Sequence, residues 1–154
     1  MEKAIKIIET DWTEVKPLWS EHLWPLRSSS EITPVSSMMF LGGIDTDIKK
    51  NKPSFWIAEQ DGLAVGTISG FKTAEKQYRS RGIWIHETAR GRGLSLELFR
   101  TMQARAVDQH CNMIWSYPRL TALSAYKKFG FDTVGNVVED QDPYSPHIYV
   151  SRKI

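Results

Sequence analysis

The chain is poor in the residues that build cross-linked or metal-clamped domains. Its 154 residues hold one cysteine, Cys111, and four scattered histidines, His22, His86, His110 and His147. A single thiol cannot close an internal disulfide, and no histidine stands at ligand spacing from it, so a disulfide scaffold and a zinc module are excluded and no metal is expected. No run of about 18 apolar residues occurs, which argues against a helical membrane span. The opening stretch from Met1 to Trp12 turns charged again after a few apolar residues, unlike a signal peptide. An excess of charge of either sign is missing too: 20 Lys and Arg stand against 18 Asp and Glu, a net charge of +2. That balance is too mild to announce a nucleic-acid binder. These absences lead to the expectation of a cytoplasmic protein with neither membrane nor nucleic acid as partner.

What is present is material for a core. Hydrophobic residues make up 41% of the chain, with six Trp, six Phe and five Tyr, and the length suits a single domain over residues 1–154. Ala4 to Ile8 reads as a short strand, and Thr10 or Asp11 then caps a helix carrying Val15, Leu18, Trp19 and Leu23. From Pro25 to about Lys52, serines, prolines and Gly42-Gly43 suggest a second, irregular helical piece with loops. Period-two runs follow at Phe55–Ile57 and Leu63–Phe71, joined by Asp61-Gly62, a dipeptide suited to a hairpin because both residues tolerate positive φ. Tyr78 to His86 extends the meander. Leu94, Leu98, Met102 and Ala106 then recur every four residues, giving an amphipathic helix over 91–109. A strand at Asn112–Ser116, a helix at Thr121–Lys128 stopped by Gly130, and strands at Phe131–Val138 and Ile148–Ser151 complete the order. The fold class is α/β (α+β): one central, mixed, mostly antiparallel sheet of about seven strands flanked by about four helices.

The most informative residues join a strand end to a helix start: Arg90-Gly91-Arg92-Gly93-Leu94-Ser95. Helix N-termini carry unpaired N–H groups and the positive end of the macrodipole, and glycines let the main chain curl around a ligand. This chemistry suits a phosphorylated ligand. It is not a P-loop, which needs Lys and then Ser or Thr after its second glycine, nor a dinucleotide fingerprint, which needs a small residue where Leu96 stands. The bland alternative is that Gly91 and Gly93 only shape a tight turn.

The segment Ile83 to Ser95 resembles motif A of the GNAT superfamily of acyl-CoA-dependent N-acyltransferases, whose loop reads Gln or Arg, two residues, Gly, one residue, then Gly or Ala. Arg90 and Gly93 match, and Ser95 replaces the last small residue. Ala122 to Phe131 is similar to the family's motif B: Ala122, Tyr126, Gly130 and Phe131 match, whereas Arg119 occupies the place of an Asn that helps position the cofactor arm in relatives. The two motifs span roughly residues 55–135 in an order of strands and helices found without them.

The resemblance implies an N-acetyltransferase that moves an acetyl group from acetyl-CoA to a primary amine (a small molecule, a peptide N-terminus or a lysine) by direct attack in a ternary complex. It implies that Gly91, Arg92, Gly93, Leu94 and Ser95 hold the pyrophosphate, that Arg90 and Arg92 add phosphate contacts, and that backbone groups of Ile85 and His86 align the pantetheine arm. It also implies that Tyr126 contacts the cofactor and protonates its departing sulfur; a phenol of ordinary pKa near 10 stays protonated until needed. Tyr78 to Ile85 contains no carboxylate, which leaves His86, and less so Glu87, as candidate base, or water. The competing reading is a catalytically silent acyl-CoA-binding or regulatory module.

Other features have plainer readings. Trp12, Trp19 and Trp24 read as core packing of the first helix rather than a binding box. By the resemblance, Trp24, Arg27, Glu31 and Met38 fall where relatives build acceptor specificity. Arg79, Arg81, Arg90, Arg92, Arg100 and Arg105 read as a solvated cationic face near the cofactor phosphates, and Asp140 to Pro146 as a turn-rich connection. Edge strands near either terminus make a homodimer a possible arrangement.

Overall fold

The computed structural model describes residues 4–154. Its strands are β1 (Lys6–Thr10), β2 (Ser54–Gln60), β3 (Leu63–Ala74), β4 (Gln77–Ile85), β5 (Met113–Ser116), β6 (Asp132–Val138) and β7 (His147–Lys153). They form one sheet in the order β1-β2-β3-β4-β5-β7-β6, antiparallel throughout except for the β4–β5 pair. Three α-helices accompany it: α1 (Trp12–Leu18), α2 (Leu94–Asp108) and α3 (Leu123–Lys128).

Alternation along the strands feeds two apolar layers. On one face, Trp56, Ile68, Tyr78 and Ile114 pack against Leu94, Leu98, Phe99 and Met102 of α2 and Tyr126 of α3. On the other, Phe55 and Ile57 pack against Val15 and Trp19. Each such side chain is worth about 1.5–3 kcal/mol of burial, so the four-residue spacing in α2 fixes which face it turns to the sheet. At the β2–β3 turn Asp61 and Gly62 take φ of 55° and 77°, the mirror-image conformation that matches strand twist.

Two expectations are corrected. The helix after Asp11 ends at Leu18 and continues as a π-helical turn over Trp19–Leu23, closed by Trp24 N–H on the Trp19 carbonyl. The second helical piece expected between Pro25 and Lys52 is absent: that stretch holds only short 3-10 turns at Ser29–Glu31 and Ile48–Lys50. Among the described residues the α-helices therefore number three. Two prolines and the positive φ of Leu41, Gly42 and Gly43 break every helical register there, and Glu31 spends its carboxylate closing a single turn on Ser28.

Two irregularities in β4 shape the site. Arg81 faces Ser69 and Trp84 faces Thr67, so β4 carries one extra residue, a bulge at Gly82 and Ile83. Gly82 sits at φ +70°, and a Cβ there would overlap the Trp19 indole, whose Nε1 donates to the Gly82 carbonyl at 3.1 Å. The parallel ladder to β5 covers only Gln77–Arg79 against Met113–Trp115. Beyond it β5 stops at Ser116 while β4 runs on to Ile85, and a cleft opens between them.

Candidate active site

The cleft holds two cavities that meet at Leu23, Ile83 and Ala122. The outer groove, about 490 Å³, runs over the β4–α2 connection and is lined by Ile85, Arg90, Gly91, Gly93, Leu94 and Ser95, with Lys128 at the end of α3. Gly91 and Gly93 take φ of +78° and +77°, a left-handed backbone that L side chains rarely adopt, and a Cβ on either would meet nothing within 4 Å. Gly93 is the N-cap of α2 and no side chain caps that helix, so its leading N–H groups point into open space. Arg90 folds back, Nε donating to the Ile85 carbonyl at 3.1 Å. Main-chain donors, a helix dipole and exposed Arg90 and Lys128 side chains thus converge on one groove.

The inner cavity, about 230 Å³, lies between β4 and the residues that follow β5. Tyr126 reaches it from α3, one helical turn beyond Ala122 and on the same face. It is buried among Phe99 and Phe131. Ser116 Oγ hydrogen-bonds both the Ser80 carbonyl at 2.7 Å and Tyr126 Oη at 3.4 Å. Its single hydroxyl proton goes to the nearer carbonyl, so in the longer contact the phenol O–H donates to Ser116 Oγ. Burial pushes the Tyr126 pKa above 10.0.

The far wall comes from the β6–β7 connection. Asp142 accepts from Arg27 Nη2 at 2.9 Å, and Tyr144 Oη accepts from the Leu26 N–H at 2.8 Å, so that segment is strapped across the chain onto residues 24–27. Arg119 donates to the Leu23 carbonyl at 2.8 Å and stacks on Tyr144. His147 stacks on Tyr117 with its Nδ1 buried and without a partner; burial lowers its pKa below 6.5, Arg119 and Arg27 push the same way, and Asp142 and Asp140 oppose. It is therefore a neutral imidazole at pH 7.

Of the residues singled out in the sequence, Ile85, Arg90, Gly91, Gly93, Leu94 and Ser95 lie together in the outer groove, Arg92 is exposed on the same loop, and Tyr126 stands in the inner cavity. His86 lies apart from both. Its N–H is spent on the Val65 carbonyl of β3, and its Nδ1 accepts from the Thr88 N–H, capping the 3-10 turn Glu87–Ala89. An Nδ1 that accepts puts the ring proton on Nε2, which leaves no free basic lone pair. Trp24, Arg27 and Met38 line the inner cavity, whereas Glu31 does not. The solvated arginine face divides: Arg90, Arg92 and Arg100 are exposed, whereas Arg79 and Arg81 are buried and Arg105 clasps Glu9 and Ser54. Sequence reasoning missed His147, Arg79, Asp142 and Lys128. Only tertiary contact gathers them, and no local spacing announces it.

The model of the acetyltransferase (GNAT) family matches residues 11–131. The chain belongs to the GNAT acetyltransferase family. A mouse relative named Probable N-acetyltransferase family 8 member 5 is 31% identical over 56% of this chain and 41% of its own length, so the chain spans about two fifths of that relative. Among solved structures, Ard1 from Thermoplasma volcanium superposes with a TM-score of 0.73 at 17% identity, covering 99% of both chains. A GNAT-family acetyltransferase from Staphylococcus aureus gives 0.68 at 16% identity, covering 97% of this chain and 99% of its own. At such identities these two share the fold. The family's general chemistry is acetyl transfer. Among the described residues no helix is long and apolar enough to cross a membrane.

Proposed function

We propose that this GNAT chain transfers an acetyl group from acetyl-CoA to a primary amine by direct attack in a ternary complex. The observation that carries the reading is the meeting of two cavities at Ile83 and Ala122, one lined by free main-chain donors and the other by a phenol one helical turn away. The outer groove fits the cofactor's pyrophosphate: its glycines leave open space above the backbone, the α2 N-terminus is uncapped, and Arg90 and Lys128 are cationic. Bound there, acetyl-CoA supplies the activated acyl carbon.

The remaining work falls to the chain. Gly91 to Ser95 hold the phosphates. Ile85, on the open edge of β4, aligns the arm with its backbone, while the N–H of its neighbour His86 is committed to β3. The inner cavity presents the amine, so that a carbon–nitrogen bond forms as the carbon–sulfur bond breaks. Tyr126 gives its proton to the departing sulfur, a role its burial favours by keeping the phenol protonated. His147, in place of His86, takes the proton that the amine loses, directly or through water.

Calorimetric titration with acetyl-CoA, free CoA and a longer acyl-CoA tests the cofactor half, and CoA release with a panel of amines tests the transfer. Binding of acetyl-CoA followed by amine-dependent CoA release is expected. A folded chain that binds no acyl-CoA overturns the reading, and one that binds but turns over no amine is the silent acyl-CoA-binding module instead.

A further inference from the structure

Four arginines and two aspartates line the inner cavity. Three of the arginines are committed: Arg27 to Asp142, Arg81 to the Thr33 carbonyl between the Trp19 and Trp24 rings, and Arg119 to the Leu23 carbonyl. Arg79 differs. Its guanidinium lies over the Trp115 ring at 4.9 Å, 8% of the residue is exposed, and Nε and Nη1 are both buried with no hydrogen-bond partner. The groups acting on its charge are Tyr126, Tyr149 and Arg27, with no carboxylate among them. Burial lowers its pKa to about 10, which still leaves it cationic at neutral pH. A buried cation without a counter-charge is costly, and a protein that needed only to fill this space would gain from an apolar residue.

Its place in the cleft says what it awaits. Arg79 is the last β4 residue still paired to β5, so it stands at the closed end, while Ile83, where the cavities meet, lies four residues on, about 13 Å along the strand. We infer that the acceptor is a primary amine bearing a carboxylate several bonds away, and that Arg79 binds that carboxylate at the closed end of the inner cavity. The planar fork of a guanidinium matches a carboxylate in bidentate fashion. Arg79 is thus a specificity-determining residue, and the assignment rests on the acetyl-transfer reading above.

The test pairs ω-amino acids from β-alanine to 6-aminohexanoate with their carboxamides, in the wild type, Arg79→Lys and Arg79→Met. In the wild type at least one acid is expected to exceed its amide about tenfold or more in kcat/KM. Arg79→Met erases that preference through KM, keeps turnover of the amide, and melts no lower than the wild type because an uncompensated charge has been removed. Arg79→Lys keeps part of the preference. Equal turnover of acids and amides, or a preference that survives Arg79→Met, overturns the proposal while leaving acetyl transfer intact. If no amine is turned over, equilibrium binding of the same acids decides: binding lost in Arg79→Met upholds the anion site although the transfer reading fails, and no binding overturns both.

Discussion

The outer groove and the inner cavity touch at Leu23, Ile83 and Ala122, yet they are made by opposite means. One wall of the groove is a single continuous segment, Ile83 to Ser95, whose donors are main-chain N–H groups, and the other is the start and face of α3. The cavity takes Leu23, Arg79, Ser116, Arg119, Tyr126, Asp142 and His147 from five stretches of the chain and is lined by side chains. In the proposed reading, backbone donors hold what every acyl-CoA shares, its phosphates, while side chains gathered across the sheet can be exchanged one at a time. A common cofactor with a variable acceptor follows from that division.

The sharpest way to break the contrast is at Gly93. Gly93→Asp forces a side chain into a left-handed position and sets a carboxylate beside the phosphate seat, so acetyl-CoA affinity should fall by about a hundredfold or more in calorimetry, with the inner cavity untouched. If affinity is unchanged, the groove is not the phosphate site. Gly82→Ala attacks both regions at once, because the new methyl drives Trp19 out of its place under the β4 bulge. A loss of about 3 kcal/mol in denaturant unfolding is expected.

Tyr126→Phe separates chemistry from binding: kcat should drop by about a hundredfold while acetyl-CoA affinity and melting temperature hold. Full turnover in that variant would falsify the acid role. His147 sharpens the comparison through pH. Its native pKa is lowered below 6.5, so the neutral form needed to accept a proton is lost only as the pH falls through a value under 6.5, and kcat/KM should fall there with it. The same group's contribution to stability is present above about pH 6.5 and is lost as the pH falls through its native value, since the unfolded chain binds that proton more readily. His147→Gln should remove the acid limb from the rate profile. The smallest effect belongs to the strap: Asp142→Asn loosens a partly exposed ion pair, costs about 1 kcal/mol or less, and should raise the acceptor KM more than it lowers the melting temperature.

Legibility followed the range of the interactions. The glycine loop, the amphipathic α2 and the Asp61-Gly62 turn depend on neighbours a few residues away, and their patterns stand in the sequence. Residues 25–52 did not read correctly, because serines and prolines suit caps, turns and short helices alike and the sheet beneath decides among them. His86 attracted attention as an imidazole placed next to the loop. Its fate was settled by the Val65 carbonyl and the Thr88 amide, two hydrogen bonds that no spacing rule announces.

By itself the sequence determined the family, most of the strand and helix order and the glycine loop of the outer groove, since periodicity and positive-φ glycines act locally and survive any packing. The tertiary structure alone decided which arginines are buried, that the Asp140–Pro146 connection closes over the inner cavity, and that His147 rather than His86 lines it. Burial and counter-charge belong to the space between elements. That space exists only once β4 and β5 have parted.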